Sequence, residues 1–240
     1  MFTQWAASAP DALGHGFCRE ALLQFPEIRR FSRVVQYGKR DLIIREGMTG
    51  DAVCMLLSGT AMSYRTAENG QQVMLRFLQP NQFFGYMTLF RASAHTMTVE
   101  TLEKCENLEI GKAAFRKLLL QEPALLWSLT EEMADGIRIS TQIVENSFLG
   151  AERRIHKCLL RLCEQFGVNV ETGIELRINI TQDTLAKCAG TTRVTTARIL
   201  GKLMDEGVLR VKPKPWVVCR IEGLILPSNK KSLRARADRE

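Results

Sequence analysis

The stretch from Ile180 to Arg220 constrains this chain more than any other, and it reads ITQDTLAKCAGTTRVTTARILGKLMDEGVLRVKPKPWVVCR. Thr181 is a candidate helix N-cap, and Thr184, Leu185 and Cys188 form a short apolar face over the next turns. Ala189-Gly190 interrupts that pattern, because glycine reaches the left-handed conformation that a tight turn between helices requires. A second helical stretch follows, capped at Thr191 or Thr192. Its inward positions are Thr196, Ile199, Leu200, Leu203 and Met204, and Gly207 ends it. Two short helices about a glycine turn predict a helix-turn-helix, whose second helix can lie in a DNA major groove.

The outward face of that second helix carries Thr192, Arg193, Val194, Ala197, Arg198 and Lys202, with no acid before Asp205. An arginine near the start of such a helix can bind a guanine edge through two hydrogen bonds, and a valine can pack on a thymine methyl. Val208 to Val211 and Trp216 to Ile221 are β-branched runs around a Lys-Pro-Lys-Pro turn. They predict a hairpin, the wing of a winged helix. An isolated pair of basic helices would read as a solvated corner. The glycine turn, the wing and the basic face together predict binding to double-stranded DNA.

Charge distribution agrees. The formal net charge is +7. Residues 1–149 carry 15 basic and 16 acidic side chains, against 18 and 10 in residues 150–240. The basic excess sits in the half that would meet phosphates. With 240 residues, 45% hydrophobic and 25% charged, the chain has room for two ordinary folded domains. No run approaches a membrane span. Met1 to Ser8 lacks the basic start and apolar core of a signal peptide, which predicts a cytoplasmic protein with no membrane partner. The seven cysteines show no CxxC pair and no metal-ligand spacing, so they are expected to be core thiols rather than disulfides or zinc ligands.

The N-terminal half reads as β-structure after a short helix around Cys18 to Phe25. Strand-like runs cover Phe31 to Tyr37, Leu42 to Arg45, Val53 to Leu57, Thr60 to Tyr64, Gln72 to Leu78, Met97 to Thr101 and Cys105 to Ile110. Glu68-Asn69-Gly70 supplies a hairpin turn. Such spacing predicts a small barrel or jelly roll enclosing a pocket for one small ligand. From Pro123 to about Phe148 the texture is one long helix. Positions 126, 129, 133, 136, 140, 143 and 147 form a heptad seam of Leu, Leu, Met, Gly, Ser, Ile and Ser. A second copy of the chain is the simplest partner for that seam, and a symmetric dimer reads two DNA half-sites about one turn apart.

Barrel, long helix and winged helix-turn-helix, in this order, resemble the cAMP receptor protein/fumarate–nitrate reduction regulator (Crp/Fnr) family of bacterial transcription factors, over roughly Phe17 to Leu226. Gly47, Asp51 and Gly59 stand where the family has its turn glycines and acid. Pro80-Asn81-Gln82-Phe83-Phe84-Gly85 followed by Leu89-Phe90 resembles its ligand cassette, Phe148-Leu149-Gly150 its hinge, and Arg154-Ile155 the opening of its DNA-binding domain. The resemblance implies an α+β chain divided into four parts. These are an effector-sensing β-barrel domain (1–122), a dimerisation helix and hinge (123–149), a winged helix-turn-helix (150–228) and a basic disordered tail (229–240). It implies a homodimer, a pseudo-palindromic DNA site, contact with RNA polymerase and no catalytic activity.

Departures from the family pattern narrow the ligand. Where cAMP-binding members place a glutamate and then an Arg-Ser pair, this chain has Tyr86 and then Thr96 and Met97. A cyclic phosphate there would lack a cation unless Arg91 or His95 substituted, so cAMP is not the expected effector. The N-terminal cysteine cluster of an iron–sulfur member is absent, with only Cys18 near the start. A small apolar or aromatic organic effector is expected, lined by Gly85, Tyr86, Met87, Thr96, Met97, Met133, Gly136, Ile137 and Ser140. Haem on His95 or His15 is the weaker alternative, beside a redox switch through Cys18 or a regulator that needs no ligand. A cupin-type enzyme would need clustered histidines, and the three here are scattered. On the DNA side, Val194 replaces the family's cytosine-reading glutamate. Val-Thr-Thr-Ala-Arg-Ile-Leu is similar to the halorespiration regulators of this family, which sense chlorinated phenols and favour A/T-rich half-sites, although the lysine that pairs with their phenolate is Asp135 here. Arg193, Val194 and Arg198 are expected to read bases, and Thr181, Gln182, Thr191, Lys202 and wing residues to hold phosphates, with Thr192 also at the DNA.

Overall fold

Residues 52–58, Ala-Val-Cys-Met-Leu-Leu-Ser, are apolar on both faces, as a strand covered on both sides must be. The computed structural model makes them the middle of the N-terminal half. It describes residues 22–90 and 94–225. The strands are β1 (Ser32–Tyr37), β2 (Leu42–Ile44), β3 (Ala52–Ser58), β4 (Ala61–Thr66), β5 (Gln72–Leu78), β6 (Phe83–Phe84), β7 (Thr98–Thr101) and β8 (Cys105–Gly111). They form two four-stranded sheets, ordered β1-β8-β3-β6 and β2-β7-β4-β5. The expected barrel is therefore a jelly-roll-like pair of sheets rather than a closed cylinder. Every expected run falls on a strand. The short β6 escaped notice because its two phenylalanines lie inside the Pro-Asn-Gln-Phe-Phe-Gly motif.

Alternation along β3 divides the core. Leu56 and Cys54 point between the sheets with Ile44, Leu78, Phe84 and Val99. Val53 and Met55 point the other way, with Leu108 and Ile110 of β8, and are covered by helices. Those helices are α1 (Pro26–Arg30), α2 (Lys112–Gln121) and α3 (Pro123–Ser147). The Phe115 ring of α2 meets Phe83 at a centroid distance of 5.3 Å. Glu122 separates α2 from α3 at φ −117° ψ 89°, outside the helical region that a following proline disfavours. From α3, Leu125, Ser128, Leu129 and Glu132 are buried. At Gly59 φ is +82°, and an added Cβ would lie 2.4 Å from the Lys104 carbonyl, so this turn admits glycine alone.

Residues from Val144 onward, together with Thr66–Met74, form a second unit. Helix α4 (Ala151–Phe166) is followed by a hairpin of β9 (Gly167–Val170) and β10 (Gly173–Leu176). Then come α5 (Gln182–Ala189), α6 (Arg193–Asp205), β11 (Leu209–Arg210) and β12 (Val217–Val218). One sheet, ordered β11-β12-β10-β9, joins the expected wing to a hairpin that sequence reading missed. The helix-turn-helix is built from the predicted signals. Thr181 Oγ1 accepts from Thr184 N, Gly190 takes φ 57° ψ 46°, and Thr192 Oγ1 accepts from Thr195 N. Thr196, Ile199, Leu200 and Leu203 are buried as expected, whereas Met204 is 39% exposed. Helix α4 places Ile155, Cys158, Leu159 and Leu162 against this core at helical spacing.

Two expectations change. Cys158 of α4 and Cys188 of α5 are joined by a disulfide, with Cα atoms 6.4 Å apart. The two are separated by 30 residues, and no local motif announces a pair that only the packing of two helices creates. The expected heptad seam of α3 is covered in part by the chain's own core. Leu129 is buried and Met133 packs on the sensor core, while Leu126 of the same seam stays 45% exposed. The exposed stripe is instead Trp127, Thr130, Ala134, Ile137, Thr141, Val144 and Phe148, again at alternate spacings of three and four. The readings placed on Cys18, His15, Arg91 and the tail 229–240 concern residues outside those described. Among the described residues no helix is long and apolar enough to cross a membrane.

Candidate DNA interface and sensor site

The second unit presents α6 to solvent through its N-terminal turns. Thr192, Arg193, Val194 and Arg198 are exposed, Val194 at 80%. An isolated surface valine gains nothing from water, and on this face it sits between two arginines that form no salt bridge with any described residue. Lys202 differs. Its Nζ lies 2.8 Å from Glu152 Oε1, so a carboxylate from α4 enters a face that carries no acid of its own before Asp205. The Glu152 carboxyl is held below its usual range by hydrogen bonding to Lys202. For Lys202 to hold a phosphate, Glu152 has to be exchanged for it. Thr181, Gln182 and Thr191 are half-buried, and the hydroxyls of Thr181 and Thr192 are already engaged in capping.

Arg154 fixes the turn between the two helices. Its Nε donates to the Ala189 carbonyl at 2.7 Å and its Nη2 to Gly190 at 3.1 Å, while Nη1 reaches Leu149 O at 2.7 Å. A cation on the last carbonyls of α5 satisfies acceptors left open by the helix end and opposes its negative dipole. The break between α3 and α4 falls at Phe148, Leu149 and Gly150, the residues expected to form a hinge.

The sensor unit brings together only part of the expected lining. Gly85 and Tyr86 are buried, and Tyr86 shares a core with Phe83, Leu129 and the half-buried Met133. Met97 packs on the other side of the sheet, with the inter-sheet core. Met87, Thr96, Ile137 and Ser140 are exposed, and the Ser140 hydroxyl donates to Gly136 O at 2.9 Å. Gly136 is half-buried, with open space where its Cβ would stand. The α3 residues buried against the sensor core are Leu125, Ser128, Leu129 and Glu132, and of the expected α3 lining Met133 packs on it.

A polar pair missed in the sequence lies in this region. Arg76 of β5 donates from Nη1 to Glu132 Oε2 of α3 at 2.5 Å and from Nη2 to Phe83 O at 3.0 Å. Their side chains are 16% and 3% exposed. The pair lies close enough to act on Tyr86, whose phenol is pushed up mainly by burial, with Arg76 opposing and Glu132 adding to the rise. Arg76 is thus a cation near the cassette that the family pattern does not point to, and Glu132 already neutralises it. A separate open cleft of about 670 Å³ is lined by Ile44, Arg45, Met48, Gly50, Cys54 and His95 among others. Burial, with Lys112 adding, lowers the His95 pKa. Its ring packs so closely on Gly50 that a Cβ there would meet Nε2.

Comparison with known proteins follows this division. Residues 34–122 match the family described as cyclic nucleotide-binding domain, and residues 153–225 match the Crp-like helix-turn-helix domain. The chain is 26% identical over 209 residues to the cAMP-activated global transcriptional regulator Vfr of Pseudomonas aeruginosa, covering 82% of this chain and 97% of Vfr. It is 29% identical over 175 residues to the anaerobic regulatory protein of Bacillus subtilis, covering 72% and 74% of the two chains. Among solved structures, the c-di-GMP responsive global regulator CLP of Xanthomonas campestris superposes with a TM-score of 0.72 at 22% identity, covering 80% of this chain and 96% of CLP.

Proposed function

The chain belongs to the Crp/Fnr family of DNA-binding transcription regulators, and from that premise we propose that it works as a homodimer whose DNA affinity is set by a small apolar or aromatic organic effector. The observation that carries the DNA half is the exposed face of α6, where Arg193, Val194 and Arg198 stand clear of the fold. Arg193, Arg198 and Val194 read bases, Arg193 through a guanine edge and Val194 through a thymine methyl, within pseudo-palindromic, A/T-rich sites. Thr181, Gln182, Thr191, Lys202 and wing residues hold the backbone, Lys202 by releasing Glu152. RNA polymerase is the proposed protein partner.

On the sensor side, Tyr86 and Met133 share one core, and the nearby Arg76 is neutralised by Glu132. An uncharged or weakly polar ligand fits such a site better than a cyclic phosphate, whose charge would have to displace a buried carboxylate. The relatives named for cAMP and c-di-GMP give the general mode of control rather than the ligand. The effector binds against α3 in the sensor unit and shifts the helix, and through the break at Phe148 to Gly150 it alters the presentation of α6. It does so only to the extent that it binds the two arrangements with different affinity.

Selection of bound duplexes from a random-sequence pool, followed by anisotropy titration, tests the DNA reading. Arg193→Ala should lose roughly 1–3 kcal/mol on the selected duplex while random DNA is held as before. Equal losses on both would show that Arg193 reads no base. A thermal-shift screen against aromatic acids, phenols, cyclic nucleotides and haem tests the effector, since a ligand of the folded state raises the melting temperature. A shift with cAMP and none with aromatic compounds would overturn the effector reading.

A further inference from the structure

We propose that Cys158 and Cys188 are a reversible oxidation site, at which a hydroperoxide converts a thiol pair into the disulfide that holds the helix-turn-helix ready for DNA. The pair is placed by two different elements. Cys158 faces inward from α4, and Cys188 lies in the last turn of α5, two residues before the Gly190 turn that leads into α6. The bonded pair has a Cα separation of 6.4 Å, inside the range a disulfide accepts.

The surroundings of the two sulfurs differ in the way a stepwise oxidation needs. Cys188 is half-buried, within reach of a small oxidant, whereas Cys158 is 4% exposed behind it. The Arg161 guanidinium places Nη2 at 3.2 Å from Cys188 Sγ. In the reduced protein a cation at that distance favours the thiolate, which is the reactive form. Elsewhere burial pushes the Cys54 thiol up to about 12 and the Cys105 and Cys163 thiols to about 11, which keeps them protonated.

The chemistry closes without a further reagent. The Cys188 thiolate attacks one peroxide oxygen, the O–O bond breaks, and the second oxygen leaves as hydroxide, forming a sulfenic acid at Cys188. The Cys158 thiol then attacks that sulfur. The S–S bond forms, the S–O bond breaks, and the Cys158 proton leaves with the hydroxyl as water. Two electrons pass from the two sulfurs to the peroxide. A cellular dithiol reverses the reaction by exchange.

Arg154 holds the end of α5 whether or not the bond is present, so the reduced domain keeps its fold. What reduction removes is the covalent tie between α4 and α5, and α5 then gains freedom that DNA binding has to take back. The oxidised form is therefore the tighter binder.

The test uses full-length protein and no organic effector, so it stands apart from the effector reading. The protein is reduced with dithiothreitol, desalted and treated with hydrogen peroxide. Iodoacetamide labelling with peptide mass spectrometry should find Cys158 and Cys188 protected together. On a duplex selected from a random-sequence pool by the oxidised protein, anisotropy should show binding tighter by roughly fivefold or more than in the reduced form. Dithiothreitol should reverse both changes. Cys188→Ser should bind like the reduced protein under either condition, and Cys219→Ser should keep the response. If Cys158→Ser fails to fold, the reversal in the unaltered chain carries the test. Labelling of both cysteines after peroxide, equal affinity of the two forms, or a persisting response in Cys188→Ser would each overturn the proposal.

Discussion

Arg76 and Glu132 carry opposite charges in a place with little water, and neither residue alone predicts that. In Gln-Val-Met-Leu-Arg-Phe-Leu the arginine reads as a solvent-facing strand position, and its partner lies 56 residues away. Removing one member leaves a buried charge without its counterion, which costs more than removing both. Arg76→Met should lower unfolding stability in urea by about 3–5 kcal/mol, and Arg76→Met with Glu132→Leu should recover most of it. A double variant no better than the single one would show that the pair is not a unit. His156 of α4 is 4% exposed, and burial lowers its pKa, while Glu152 and the Leu224 backbone act the other way. The unfolded chain protonates this histidine below about pH 6.5 and the folded chain resists, so its contribution is complete above that pH and declines as pH falls. His95 has the same sign, whereas Glu152, held low by Lys202, acts only at more acid pH. Melting temperature should drop between pH 7 and pH 5.5, less steeply in His156→Gln. An unchanged slope in that variant would remove His156 as a cause.

The helices differ in how far their own residues specify them. Helices α5 and α6 carry their caps with them, Thr181 and Thr192 at the starts and Gly190 between, so their limits were readable residue by residue. Helix α3 was readable as a helix but not in its rotation. Its sequence is apolar on two neighbouring lines, and only the sheet beside it decides that Leu125, Leu129 and Glu132 turn inward while Ile137 turns out. Helix α4 was recognised only by its first residues, and its bond to α5 not at all. That bond closes a loop of 30 residues, so reducing it should lower stability by roughly 3 kcal/mol, read as a fall in the urea midpoint with dithiothreitol. The Cys188→Ser variant should show that lower midpoint with or without the reductant.

For the whole molecule the open question is what covers the stripe Trp127, Ile137, Val144 and Phe148, whose members are 60–83% exposed. The proposed dimer through α3 would bury that stripe against its own copy and supply two recognition helices. Ile137→Glu with Val144→Glu should give a monomer in sedimentation equilibrium and weaken binding to a two-half-site duplex more than to a single half-site. A dimer of unchanged strength would place the interface elsewhere. The sequence by itself determined the strand runs, the long helix, the caps and glycine turn of the helix-turn-helix, and the basic face of α6. Each of these depends on periodicity or backbone chemistry within a few neighbouring residues. Tertiary structure alone decided the Arg76–Glu132 pair, the Lys202–Glu152 bridge, the Cys158–Cys188 bond and which side of α3 faces the sheet. Each of these joins residues far apart in the chain, or depends on a neighbour's surface, and no local pattern records either.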